Sequence, residues 1–86
     1  MEQNKHEKAI EDAIKEVSRA REMWPSMHSA HEGYAVLLEE VEELWEHVKA
    51  NQKRRNIEDM RTEAIQVAAM AICFAAEVCN EETGRK

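Results

Sequence analysis

Residues 64–78 read AIQVAAMAICFAAEV, and this stretch decides the fold. Wound into a helix, Ala64, Val67, Ala68, Ala71, Ile72, Ala75 and Val78 fall on one stripe that continues Ile57 and Met60 from the turns before. Ile65, Met70 and Phe74 lie off that stripe, so apolar side chains cover most of the circumference. A helix of this kind is buried. Its many alanines let neighbouring helices approach closely. The unbroken apolar part, Ala64 to Ala76, spans 13 residues and contains Gln66. A bilayer crossing takes about 20, so no membrane span is expected.

Outward from this stretch, two further helical patterns appear. Asn56 is placed to cap the apolar helix, with Asp59 in the first turn where negative charge suits the helix dipole. Upstream, Tyr34, Leu37, Leu38, Val41, Leu44, Trp45 and Val48 recur at helical spacing as one seam. Ser29 and Glu32 open that helix in the form of a capping box, and the polar residues 51–55 end it. The first pattern carries Ile10, Ala13, Ile14, Val17 and Ala20, and stops at Trp24 because Pro25 disfavours helix in the residue before it. The spacing predicts three helices over roughly 4–23, 29–51 and 57–80, in one all-α domain spanning 1–86. Two flanking helices cannot cover the third from every side. A three-helix protomer that assembles into an oligomeric helical bundle, a homodimer or a dimer of dimers, is therefore expected.

Composition narrows the function. The chain has 86 residues with 12 basic and 18 acidic side chains, a net charge of -6. That balance argues against gripping nucleic acid or an anionic membrane through the overall field, and fits a site that recruits cations. Cys73 and Cys79 stand six residues apart on one predicted helix. The rise between them is about 9 Å, beyond what a disulfide tolerates. Together with the polar opening from Met1 to Lys8, this predicts a reduced, cytoplasmic protein.

The second helix carries Glu39, Glu40, Glu42, Glu43 and Glu46. At about 100° per residue, Glu40 and Glu43 share one flank of the apolar seam, while Glu39, Glu42 and Glu46 lie towards the more solvated side. On the third helix Asp59, Glu63 and Gln66 fall on one face, and the last two interrupt an otherwise apolar surface. A solvated acidic face explains such a pattern. So does a divalent metal site, because Mg²⁺ takes oxygen ligands and neutralises clustered carboxylates.

The segment LEEVEEL, residues 38–44, resembles the EExxEL segment of MazG-like nucleotide pyrophosphohydrolases, members of the all-α NTP pyrophosphatase superfamily. That family carries an ExxE pair, a spacer and an ExxD pair on the next helix. Glu40 and Glu43 match the first pair, and Glu63 follows after 19 intervening residues as the first member of the second. The resemblance covers roughly Trp24 to Val78. It departs from the family pattern at Gln66, which stands in place of the ExxD aspartate.

The resemblance implies Mg²⁺- or Mn²⁺-dependent hydrolysis of a nucleoside triphosphate to monophosphate and pyrophosphate. Glu40, Glu43, Glu63 and Gln66 would hold the metal, and Glu39 would orient or deprotonate the attacking water. Lys49 and Arg61 would bind the phosphate tail, with Lys53, Arg54 and Arg55 as further cations. An alternative is a catalytically silent binding or assembly module of the same fold. Trp24 and Trp45 are read as core or interface residues with base stacking as the other use. His28 and His31 are too weak a pair to indicate zinc.

Overall fold

A computed structural model describes residues 3–80. It contains α1 (Lys5–Met23), α2 (Ala30–Val48), one 3-10 turn (Gln52–Arg54) and α3 (Ile57–Glu77), with no strand among the described residues. The protomer is all-α, as the periodicity requires, and among these residues no helix is long and apolar enough to cross a membrane.

Each helix begins at a side-chain cap. Asn4 accepts from the Glu7 N–H at 2.8 Å, Ser29 from the Glu32 N–H at 3.1 Å, and Asn56 from the Asp59 N–H at 3.0 Å. The expected capping box closes one residue early: Glu32 Oε2 accepts from the His28 N–H at 3.4 Å. Ser29→Ala is expected to cost about 1 kcal/mol, read as a lower midpoint in urea unfolding with an unchanged m-value. No change in midpoint would show that the cap is dispensable. The second helix ends at Val48, earlier than the periodicity suggested. Asn51 is extended there, and its side chain accepts from the Lys53 N–H at 2.9 Å, starting the 3-10 turn. Arg55 Nη2 donates to the Val48 carbonyl at 2.6 Å, satisfying one of the acceptors left open where α2 stops.

The apolar helix lies in the middle. It packs against both α1 and α2, and those two do not touch each other. Asp12 meets Arg61 at 2.9 Å and Arg21 approaches Glu77 at 3.9 Å, so α1 runs parallel to α3. Gly33 lies beside Phe74 while Glu43 lies beside Glu63, so α2 runs antiparallel to α3. The radius of gyration is 14.6 Å. A closed chain of this length would have about 12 Å.

This open arrangement leaves a thin core. Ala69 and Cys73 of α3, Ala13 of α1, Gly33 of α2, Met27 in the first connection and Val78 are buried, and no large side chain among the described residues is fully enclosed. Met27 docks on Cys73 and Val78, with Val17, Met70 and Phe74 around them. The connection is tied down where the Met27 N–H donates to Glu77 at 2.8 Å. At Gly33 a Cβ would stand 2.7 Å from a Phe74 ring carbon and 3.1 Å from Met27 Sδ. Gly33→Ala should therefore lose about 1 kcal/mol net: overpacking costs about 1–3, against about 1 gained in helix propensity. A rise in melting temperature would show that the ring moves aside freely.

Two expected stripes divide. Of the α2 seam, Leu37 and Leu44 are half-buried, while Tyr34, Leu38, Val41, Trp45 and Val48 are exposed, Tyr34 at 60% and Trp45 at 54%. On α1, Ala13 is buried and Val17 and Ala20 half-buried, yet Ile10 and Ile14 are exposed. One neighbouring helix covers a narrower arc than either stripe occupies.

Candidate functional site

The packing of α2 on α3 joins the carboxylates. Glu40 and Glu43, three residues apart on one turned face of α2, meet Glu63 from the first half of α3. One oxygen from each lies within 4.8 Å of the others, and no other such group of acidic, histidine or cysteine side chains occurs among the described residues. Glu43 is the exposed member, and it is the neighbour that most affects both Glu40 and Glu63. Glu63 Oε2 is covered from solvent and has no hydrogen-bond partner.

These neighbours set the electrostatics. Burial, then the charge and shared hydrogen bond of Glu43, push the Glu40 carboxyl from its ordinary 4.5 up to about 7. Glu63 is raised too, by burial first and then by the hydrogen bond and charge of Glu43, and the imidazole of His47 offsets part of the rise. Acids on a freely solvated face do not hold their protons this way.

A cavity of about 510 Å³ opens beside the triad in the gap between α1 and α2, with α3 as its floor. This is a size typical of small-molecule sites. Glu40 belongs to both the triad and the cavity wall, so whatever fills the cavity reaches the carboxylates. Glu39 also lines it, and so departs from Glu42 and Glu46, with which its helical angle had grouped it. Arg19 and Arg21 of α1 bring positive charge to the opposite wall, and Trp24 presents a 66% exposed indole. Arg19 is paired with Glu16 and also donates to Met23 Sδ at 3.2 Å.

Gln66 lines the cavity near Glu16, whose carboxyl it helps to hold below the usual range after the stronger effect of Arg19. The two basic residues singled out from the sequence stand elsewhere. Lys49 is paired with Glu46 at 2.8 Å beyond the end of α2. Arg61 is paired with Asp12 and lines a separate groove of about 220 Å³ between α1 and α3. Neither lines the cavity. Trp45 faces away from it, on the exposed stripe of α2. Of the histidines near the start of α2, His28 approaches Glu32 at 3.7 Å, and neither His28 nor His31 joins a ligand group. Both cysteines are free thiols, Cys73 buried and Cys79 exposed. Burial, and after it Glu77, pushes the Cys73 thiol up, which suits packing rather than nucleophilic attack.

Arg19, Arg21 and Glu77 were not singled out by sequence reasoning. The only signal was their position: two arginines in the last two turns before Trp24 and Pro25, and an acid at the end of an apolar helix. That they share a cavity depends on α1 running parallel to α3.

No known protein family, characterised protein or solved structure matches this chain.

Proposed function

We propose that this protein is a divalent-metal-dependent nucleoside triphosphate pyrophosphohydrolase that releases a nucleoside monophosphate and pyrophosphate. The observation that carries this reading is the convergence of Glu40, Glu43 and Glu63, with one Glu63 oxygen covered and unpartnered. A carboxylate oxygen removed from water without a donor is costly, and a hard cation satisfies it. The donor set is all oxygen, which suits Mg²⁺ or Mn²⁺ and offers nothing to soft metals. When bound, such an ion neutralises phosphate charge and makes a bound water more acidic.

The chain's own residues have distinct parts in this scheme. Glu40, Glu43 and Glu63 would hold the metal, and near neutral pH Glu40 would give up a proton in doing so. Glu39, on the cavity wall, would orient the water and accept its proton. Arg19 and Arg21 face the carboxylates across the cavity and would supply charge for the phosphate tail, while Trp24 offers a flat apolar surface for the base. Gln66, on the same wall, would be a further oxygen donor. The substrate is thus a nucleotide and not a nucleic acid. Two free thiols support a reducing compartment, the cytoplasm.

One observation favours the rival reading, a silent binding module of the same fold. Gln66 stands where the resembling family has an aspartate, and an amide brings neither charge nor a base to the cavity wall. The two readings separate in an assay of pyrophosphate and monophosphate release from a panel of ribo- and deoxyribonucleoside triphosphates with Mg²⁺ or Mn²⁺. Turnover lost on chelation establishes the hydrolase. A folded protein that turns over nothing in the panel is the silent module.

A further inference from the structure

The cavity extends well past the carboxylate triad. Gly33 lies beside Phe74 and Glu43 beside Glu63, so positions on the antiparallel helices α2 and α3 can be matched level by level. Glu40 then stands near the level of Gln66, and Glu32, in the first turn of α2, near that of Phe74. From Gln66 to Glu77, both on the cavity wall, α3 rises about 16 Å. The triad therefore marks one end. The far end is bounded by the connection between α1 and α2, where Trp24, Pro25, Ser26 and Met27 join the wall. A nucleotide whose phosphates lie at the carboxylates points its base towards this connection.

Glu77 is the polar group held in place there. Its side chain is only 11% exposed, and the wall around it includes Trp24, Met27 and Met70. Oε1 accepts from the Met27 N–H at 2.8 Å, which fixes the carboxyl against the connection. Oε2 has the Arg21 guanidinium at 3.9 Å, beyond hydrogen-bond reach. The Cys73 thiol lies beside it, one turn earlier on α3. A carboxylate accepts about four hydrogen bonds and donates none, so Glu77 lines the cavity with accepting capacity to spare. Glu32, the other acid at this end, also accepts, taking the His28 N–H at 3.4 Å.

We propose that Glu77 selects the base, taking cytosine or adenine through the exocyclic amino group and disfavouring uracil and hypoxanthine, which carry an oxygen at that position. The inference rests on the nucleotide reading of the cavity and adds the base to it. Cytosine presents its N4 amino group and adenine its N6 amino group as donors, and acidic side chains accept from such groups. An oxygen there sets lone pairs against lone pairs, at a carboxylate that has lost most of its water. Trp24 offers its flat face to any base, so the choice falls to Glu77.

The test compares triphosphates that differ in one ring substituent, dCTP with dUTP and dATP with dITP, in Mg²⁺. For wild-type protein kcat/KM should favour the amino-bearing member of each pair by about 10- to 100-fold, the worth of one hydrogen bond to a carboxylate. Glu77→Gln keeps an oxygen for the Met27 N–H and adds an N–H that the oxo bases can accept. It should bring both ratios to within about 3-fold of one. The wild-type ratios decide the matter even where that variant does not fold. Equal turnover within both pairs would overturn the selection and leave the hydrolase standing. Turnover of none of the four is instead a failure of the hydrolase, and the base preference is then read from titration calorimetry with CMP and UMP in EDTA. Tighter binding of CMP, lost in Glu77→Gln, sustains the proposal. Equal binding, or binding of neither, overturns it.

Discussion

Glu63→Gln melts at a higher temperature than the wild-type chain in a chelating buffer, and at a lower one in excess Mg²⁺. Without metal, the Glu63 carboxylate has one oxygen shut away from water and stands against Glu43, so burial and repulsion both oppose its charge. The amide is neutral and donates to Glu43, for a gain of about 1 kcal/mol. In a domain this small, that is a rise of about 4–8 °C. With Mg²⁺ at a hundred times its dissociation constant, the wild type gains about 2.7 kcal/mol, or more than 10 °C, from binding that the unfolded chain does not share. The variant forfeits most of that gain. Turnover should fall on the order of 10²-fold or more, as when any preorganised electrostatic partner of a developing charge is removed. Glu40→Gln should behave alike. Calorimetric melts with EDTA and with Mg²⁺, beside a pyrophosphate-release assay, read both effects. Wild-type melts that ignore Mg²⁺ would remove the metal site.

Metal-free stability should fall between about pH 4.5 and pH 7. Glu40 titrates at about 7 in the folded chain and near its ordinary 4.5 when unfolded. Across that interval the folded state binds more protons than the unfolded state. Raising the pH therefore favours unfolding, and the penalty is complete once both forms are ionised. At 1.36 kcal/mol per pH unit, the full span is worth about 3 kcal/mol. Glu40 is only half-buried, and screening trims this to about 1–2 kcal/mol.

Glu11, Asp12 and Glu16 act in the opposite sense. Their hydrogen bonds, to Gln3 and Lys15, to Lys8 and Arg61, and to Arg19 and Gln66 respectively, hold them below their ordinary values. Their support is full above the ordinary values, 4.5 for Glu11 and Glu16 and 3.8 for Asp12, and is lost as the pH falls below them. The stability maximum should therefore lie near pH 5. Melting temperatures in EDTA from pH 4 to 8 locate it, and Glu40→Gln should flatten the neutral limb. A wild-type maximum at pH 7 or above would refute the assignment of Glu40.

Much of this protein is legible in the order of its residues because the relevant interactions are local. Asn4, Ser29 and Asn56 each cap the amide three residues on, and Pro25 halts α1 through its own ring. Glu40 and Glu43 share a helical flank in any fold that keeps α2 helical. The ExxE spacing and the interruption of an apolar helix by Glu63 and Gln66, read beside the MazG-like resemblance, single out the three carboxylates from the sequence. The excess of apolar surface on α3 was likewise visible as a stripe too broad for two neighbours.

Packing decided the rest, because a stripe wider than one neighbour leaves its rotation open. The seam of α2 offered seven apolar residues, and α3 took only the edge with Leu37 and Leu44, baring the edge with Val41 and Trp45. That rotation also brought Glu39 round to the cavity, away from Glu42 and Glu46. Lys49 and Arg61 looked free in the sequence but found Glu46 and Asp12, one through an adjacent helical turn and one across a helix interface. Arg19, Arg21 and Trp24 reached the carboxylates only because α1 crosses to the far side of α3 and runs parallel to it, leaving a gap that α2 walls on the other side. Sequence alone determined the three helices and the acids they carry. Tertiary structure alone decided which charges share a cavity, since only long-range packing sets the rotation and direction of one helix against another.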